Sequence, residues 1–239
     1  IGDASSKITF TFYVDRNAPT ISGASTSTTG KYATSSFTVR ASDSVSGVES
    51  LYMKAPNSSY YSSVGSSSKT ISSGSANGLY SFYAYDKAQN KSKTYYVYFD
   101  STKPVGTLKT SIGSVSSGSY TNQSFSYTAS DSGSGIKTLQ YKTPGSSTWK
   151  TYTSGTTISS TSTNGWYYFR AQDKSGLYSD ESKICLDTGK PTGTLYGGTK
   201  AAASGSTVTS QYVKFTATDG LPGISKVYVK KPGAVGYAV

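Results

Sequence analysis

One block of this chain occurs three times, and that repetition limits what the chain can fold into. Ala41-Ser42-Asp43, Ser46-Gly47-Val48 and Leu51-Tyr52-Met53-Lys54-Ala55-Pro56 return as Ala129-Ser130-Asp131, Ser134-Gly135-Ile136 and Leu139-Gln140-Tyr141-Lys142-Thr143-Pro144. They return again as Ala217-Thr218-Asp219, Pro222-Gly223-Ile224 and Val227-Tyr228-Val229-Lys230-Lys231-Pro232. Asp43, Asp131 and Asp219 are spaced by 88 residues at each step. A second block, Asn77-Gly78-Leu79-Tyr80-Ser81-Phe82-Tyr83-Ala84-Tyr85-Asp86-Lys87, matches Asn164 to Lys174. A third, Asp15-Arg16-Asn17-Ala18-Pro19, matches Asp100 to Pro104 and Asp187 to Pro191. A fixed period of this size means serial copies of one structural unit. Lys7 to Asp15 resembles Lys93 to Asp100, the closing strand of a unit. The expected organisation is therefore a trailing strand (1–14), two complete units (15–100 and 101–187) and the first half of another (188–239). So divided, the chain reads as a segment of a longer protein, and the lack of a signal peptide at Ile1 is silent about export.

Within a unit the apolar residues alternate with polar ones. Phe37, Val39 and Ala41 do so, as do Phe125, Tyr127 and Ala129, then Leu51 and Met53, then Tyr80, Phe82 and Ala84. Val97 and Phe99 correspond to Ile184 and Leu186. Period-two runs between Gly, Ser and Asn turns are half-buried antiparallel strands, and no segment sustains a 3.6 period. About seven strands in 85 to 88 residues is the size of an immunoglobulin-like sandwich. The expected class is all-β: tandem sandwich modules in a rod-like array. Charged residues make up 15% and Tyr alone supplies 22 residues, which is the composition of a folding chain and not of a disordered one. A single Cys rules out an intrachain disulfide. Phe82 and Phe169 stand two residues after Tyr80 and Tyr167, where that fold often carries its second bridging Cys, so an aromatic core is expected there instead.

The same counts exclude much chemistry. With no His there is no Ser-His-Asp triad, no Cys-His pair and no imidazole metal ligand. Cys185 has the parity of an outward-facing strand residue and no imidazole base to activate it, so it is read as incidental. No apolar run is long enough to span a bilayer as a helix. The chain is not expected to be an enzyme.

The pattern Asp-x-x-x-Pro, then Ala-Ser-Asp-Ser-x-Ser-Gly-Ile/Val, then Gly-x-Tyr-x-Phe-x-Ala-x-Asp-Lys resembles the tandem bacterial Ig-like repeats of cell-surface and secreted proteins. The resemblance covers essentially the whole chain. It implies an extracellular location at a bacterial surface, and export without disulfides suits Gram-positive bacteria. It also implies a choice of roles, because such modules serve as stalks, spacers and binding units alike. The family's Asp-Lys-Ala-Gly-Asn turn stands here as Asp86-Lys87-Ala88-Gln89-Asn90 and as Asp173-Lys174-Ser175-Gly176-Leu177. A Lys–Asn cross-link, known in Ig-like domains of Gram-positive bacteria, is not expected, since no Lys or Asn falls at a core position.

In the immunoglobulin topology the start of the first strand and two loops share one pole. That brings together Asp15, Asp43 and Asp86, and likewise Asp100, Asp131 and Asp173. Such trios could hold calcium at the module junctions, as a hard ion bound by oxygen. The competing reading, which the sequence favours, is turn chemistry with Lys87, Lys103, Lys174 and Lys190 neutralising the carboxylates, and no cofactor. The net charge of +11 is scattered, with no basic run, and no specific nucleic-acid recognition is expected.

Alternation turns Tyr52, Tyr83, Tyr85, Tyr96 and Tyr98 to one outer sheet face. That face is the candidate ligand-binding surface, suited to a glycan or a surface protein. The second unit has Gln140, Trp166, Tyr168, Arg170, Lys183 and Cys185 instead, so a ligand shared by the repeats is not expected. Between strands of successive units the link is only Asp100-Ser101-Thr102-Lys103, followed by Pro104 and free of Gly, which makes a stiff joint. The leading expectation is a non-catalytic stalk that presents another domain; the alternative is an adhesin-type binding module. For 188–239, the strand around Val213-Lys214-Phe215 is expected either to take a partner strand from another molecule or to leave its core face exposed.

Overall fold

A computed structural model describes residues 9–23, 32–230 and 232–239. Among them every regular element is a β-strand. The first eight are β1 (Thr20–Gly23), β2 (Tyr32–Ala33), β3 (Phe37–Ser42), β4 (Val48–Lys54), β5 (Ser62–Ser63), β6 (Ser68–Ile71), β7 (Gly78–Asp86) and β8 (Tyr95–Phe99). They form two sheets, ordered β1-β3-β6 and β2-β8-β7-β4-β5. Alternation puts Phe37, Val39, Ala41 and Ile71 of the first sheet in one buried cluster with Leu51, Tyr80, Phe82, Ala84, Val97 and Phe99 of the second. The short β2 runs parallel to β8, and β1 pairs antiparallel with β3. This is the strand order of an immunoglobulin-like sandwich.

The same arrangement is built again from β9 (Val105–Thr110), β10 (Gly113–Val115), β11 (Ser119–Thr121), β12 (Phe125–Ser130), β13 (Ile136–Lys142), β14 (Lys150–Tyr152), β15 (Gly165–Asp173) and β16 (Ser182–Leu186). Its sheets are ordered β10-β9-β12 and β11-β16-β15-β13-β14, with β11 parallel to β16. Phe169 is fully buried and stacks on Tyr127 with ring centroids 5.0 Å apart. Val39 and Phe82 hold the matching positions in the first sandwich, both fully buried. Aromatic and aliphatic side chains thus fill the space where a bridge would cross, as the single Cys requires. The chain is a tandem of all-β sandwich modules.

Two of the recurring motifs explain one another. Gly78 and Gly165 adopt φ of +133°, and a β-carbon at either would come within 2.8 Å of Cβ of Pro56 or Pro144. The Asn-Gly that opens β7 and β15 therefore recurs because the backbone passes directly over the proline that closes β4 and β13.

The last sheet holds β17 (Thr192–Gly197), β18 (Lys200–Ala202) and β19 (Val213–Thr218), in the order β18-β17-β19. Its apolar residues lie open: Phe215 is 50% exposed and Val213 60%. Phe215, Ala217, Ile224, Val227 and Tyr228 line a cleft of about 530 Å³. Within this single chain the core face of the sheet lies open. The expected trailing strand at 1–14 falls partly outside the described residues; 9–14 form no strand, and Phe10, Phe12, Tyr13 and Val14 are exposed.

By compactness the chain divides into two units. One contains the chain up to Pro104 together with Ser130–Lys137 and Gln172–Tyr178; the other contains Val105–Ala129, Thr138–Ala171 and Ser179–Val239. Among the described residues no helix is long and apolar enough to cross a membrane.

Candidate functional site

Both carboxylate trios form as the topology anticipates. Asp15 precedes β1, Asp43 follows β3 and Asp86 ends β7; Asp100 follows β8, Asp131 follows β12 and Asp173 ends β15. In each trio three carboxylate oxygens, one per residue, lie within 4.8 Å of one another.

In the first trio hydrogen bonds account for the carboxylates. Asp15 accepts from the backbone N–H of Asn17 and of Ser46, at 2.9 and 3.0 Å. Asp43 Oδ1 accepts from the N–H groups of Val45, Ser46 and Gly47, the shortest at 2.8 Å. Asp86 is held by one residue at both oxygens. Asn90 donates its backbone N–H to Oδ1 at 2.8 Å and its side-chain amide to Oδ2 at 2.8 Å. The same amide donates to the backbone carbonyl of Asp15 at 3.1 Å, so it bridges two corners of the trio. The buried Ser46 hydroxyl has no partner.

The second trio is wired differently. Asp100 and Asp173 are fully buried. Asp100 Oδ1 accepts from Asn77 Nδ2 and from the backbone and hydroxyl of Thr102, and its Oδ2 accepts from Ser134 N–H at 2.7 Å. Burial pushes the Asp100 carboxyl up, and the hydrogen bonds from Ser134 and Thr102 outweigh it, holding the group below its ordinary value. Its carboxylate lies against Gly133, where a β-carbon would meet its Oδ2 at 2.6 Å. Asp131 Oδ1 accepts from Gly133 and Gly135 N–H, and Asp173 Oδ1 from Ser175 Oγ and Leu177 N–H. Asp131 Oδ2 and Asp173 Oδ2 are buried with no hydrogen-bond partner. The expected lysine neutralisation does not reach these two atoms by hydrogen bonding, and Lys174 is exposed. Turn chemistry therefore accounts for the carboxylates of the first trio and stops short in the second.

The five candidate tyrosines separate along β7. Tyr52 stacks on Tyr83 at 5.0 Å, and Tyr85 meets both rings edge-on. Tyr61, which alternation on the long strands did not reveal, joins them at 4.7 Å from Tyr83. Lys91 caps the group with Nζ 4.0 Å from the Tyr83 ring centroid. Tyr96 and Tyr98 lie elsewhere because the register sets them opposite Ser81 and Leu79, at the other end of β7. Tyr98 packs on Tyr32 at 5.2 Å, and Tyr96 stands 60% exposed.

On the second sandwich the corresponding face carries cations over rings. Lys142 lies over Trp149 and Tyr168, Arg170 over Trp149, and Lys183 over Trp166. Cys185 corrects a sequence expectation. It has the outward parity foreseen for it, yet it is fully buried, because it pairs with Trp166 on one side and with Tyr120 of β11 on the other. Burial and the charge of Asp187 push its thiol above the ordinary range.

Comparison of the sequence with family models and with curated proteins gives no match. Among solved structures, the fibronectin(III)-like modules of CbhA from Clostridium thermocellum are 17% identical, with a TM-score of 0.30; the alignment covers 70% of this chain and 92% of theirs. The four N-terminal Ig domains of Dscam1 isoform 9.44 are 14% identical, with a TM-score of 0.35, over 73% of this chain and 46% of theirs. Likenesses at this level do not speak to function.

Proposed function

We propose that this chain is a non-catalytic spacer of a bacterial surface or secreted protein, made of bacterial-type Ig-like modules that meet near Asp15, Asp100 and Asp187. The observation that carries this reading is the tied-down link after β8. Asp100 N–H donates to Ala33 O, Ser101 N–H to Asn77 Oδ1 and Thr102 N–H to Asp100 Oδ1, at 2.9, 3.1 and 3.1 Å. Asn77 in turn donates to Asp100 and Thr102. Three successive N–H groups that a flexible linker would offer to water, those of Asp100, Ser101 and Thr102, are used here. A repeated unit joined through such a link suits holding something at a distance and offers no reacting group. The test is a pulsed dipolar distance measurement between labels at Ser66→Cys and Ser147→Cys. A single narrow distribution that broadens in Asn77→Ala with Ser101→Gly supports the spacer; a broad distribution in the wild type overturns it.

A second reading, an adhesin-type module that takes a glycan or a surface protein, is favoured by the exposure of Tyr96 on the outer face. Such a ring offers contact area at little entropic cost.

A further inference from the structure

We propose that Asp100, Asp131 and Asp173 form a binding site for a hard divalent cation of the calcium type, and that Leu177 is what distinguishes this trio from its counterpart at Asp15, Asp43 and Asp86. The two trios share backbone placement and residue type. Among the donors in which they differ, such as Ser175 Oγ on Asp173 Oδ1, one decides whether the second oxygen of that aspartate is served. Asn90 and Leu177 stand at the same distance after Asp86 and Asp173, and both give their backbone N–H to Oδ1, at 2.8 and 2.9 Å. Only Asn90 carries an amide for Oδ2. With Leu177 in that place, Asp173 Oδ2 is buried and unpartnered. Asp131 Oδ2, whose counterpart Asp43 takes no bond from the Asn90 amide, is buried and unpartnered beside it. An unpartnered buried carboxylate oxygen is costly, and clustering it with two further negative charges raises the cost. The first trio meets the same problem with a neutral amide. The second leaves the oxygens free to bind a cation.

The chemistry selects the ion. The donors are oxygen only, with no imidazole or thiolate among them, which disfavours zinc. Calcium takes six to eight oxygens at about 2.3–2.6 Å, so two oxygens on opposite sides of one ion stand roughly 5 Å apart. Separations within 4.8 Å in the trio fit that span. Magnesium demands stricter octahedral geometry and gives up water reluctantly, which suits three loop carboxylates less well. The three ligands come from the β8–β9 link, the β12–β13 loop and the end of β15, so one ion would fasten three loops that otherwise share only hydrogen bonds. The site is independent of whether the chain is a spacer or an adhesin.

The test uses the whole chain stripped with EDTA and titrated with calcium, followed by calorimetry and thermal unfolding. We expect one equivalent to bind, with an affinity in the range of about 0.1–1 mM found for extracellular modules. About 10 mM calcium should raise the melting temperature of the responding transition by roughly 4 °C or more, since an ion bound only by the native state stabilises it. Hydrogen exchange should slow in 100–104, 130–137 and 172–178. Leu177→Asn rebuilds the amide of the first trio and should weaken binding at least about tenfold while the fold is kept. Asn90→Leu should open a second site and raise the stoichiometry to two. If calcium gives neither heat nor a thermal shift, a proton or a water serves the two oxygens and the proposal fails. It fails equally if binding is unchanged in Leu177→Asn and in Asp173→Asn.

Discussion

Tyr127 packs its ring directly onto the backbone of Gly106, where a β-carbon would come within 2.6 Å of two ring carbons. The pair is one of three solutions to the same packing problem. The first sandwich uses Ile21 with Val39, a middle-sized residue on each strand. The second uses Gly106 with Tyr127, and the last sheet uses Gly193 with Phe215, whose ring would likewise meet a β-carbon, at 2.8 Å from Cε2. Volume lost at the first strand is partly returned at the facing position, the kind of compensated change that close-packed cores tolerate.

Gly106→Val should therefore destabilise the protein by about 1–3 kcal/mol, through overpacking. Tyr127→Val alone should cost about 2–5 kcal/mol through the cavity it leaves. Gly106→Ile combined with Tyr127→Val recreates the Ile21 and Val39 pairing and should recover most of both losses, a coupling that urea unfolding of the four proteins would measure. Strictly additive losses would show that the two positions do not share one space.

Tyr127 makes a second expectation. Its hydroxyl is buried without a hydrogen-bond partner, while the Tyr152 hydroxyl accepts from Tyr127 N–H and donates to Thr156 O. Tyr127→Phe removes an unsatisfied polar atom and should be neutral or stabilising, by up to about 1 kcal/mol. Tyr152→Phe should cost about 1 kcal/mol or more. Thermal unfolding of the two variants side by side separates them.

Alkaline pH should act through the same residues. Burial pushes the phenols of Tyr80, Tyr95, Tyr127, Tyr152 and Tyr167 above their ordinary value. A raised folded value means the folded state prefers the neutral phenol. The stability this gives is whole below about pH 10 and is lost as pH rises beyond it. Tyrosinate absorbance followed with circular dichroism should show these rings ionising together with unfolding, and Tyr127→Phe should move the alkaline midpoint upward. Ionisation of all tyrosines in one step with the fold intact would contradict this.

Much of the fold could be read before any coordinates. Alternation placed Val39, Leu51, Phe82, Val97 and Phe99 inside, and all five are buried. The immunoglobulin topology inferred from the repeats brings together both carboxylate trios, and both form. Short elements stayed hidden, because two or three residues carry no period. β2 is one, and β11 is another, which is why parity alone turns Cys185 outward although Tyr120 and Trp166 flank it on the neighbouring strands. Tyr61 precedes a two-residue strand and was missed for the same reason. The change from Asn90 to Leu177 was visible as a departure from a motif. Its weight depended on which oxygen the amide reaches, and only the three-dimensional arrangement shows that.

Asn77 concentrates the joint in one side chain, since it accepts from Ser101 N–H and donates to Asp100 and Thr102. Asn164 repeats this toward Asp187 and Thr188, with longer bonds of 3.3 Å to Asp187 Oδ1 and Thr188 N–H. Asn77→Ala should cost about 1–3 kcal/mol, because it strips a fully buried carboxylate of a donor. Asn164→Ala, at an exposed and looser site, should cost less than about 1 kcal/mol. Equal losses would remove the special standing of the first link.

The tyrosine face separates spacer from adhesin if stability and binding are measured on the same variants. Tyr83 touches Tyr52, Tyr61 and Tyr85 and lies under Lys91. Ring pairs of this kind are worth about 0.5–1.5 kcal/mol each and an exposed cation over a ring about 0.5–1 kcal/mol. Tyr83→Ser should therefore lower stability by roughly 1–3 kcal/mol, and a loss of binding in that variant would be ambiguous. Tyr96 is mostly exposed, so Tyr96→Ser should change stability by less than about 0.5 kcal/mol. Glycan-array and pull-down signals compared between wild type and Tyr96→Ser then report on the surface alone. The spacer reading expects no signal, or the same signal from both. A wild-type signal that disappears in folded Tyr96→Ser would make this face a binding site and the chain an adhesin module.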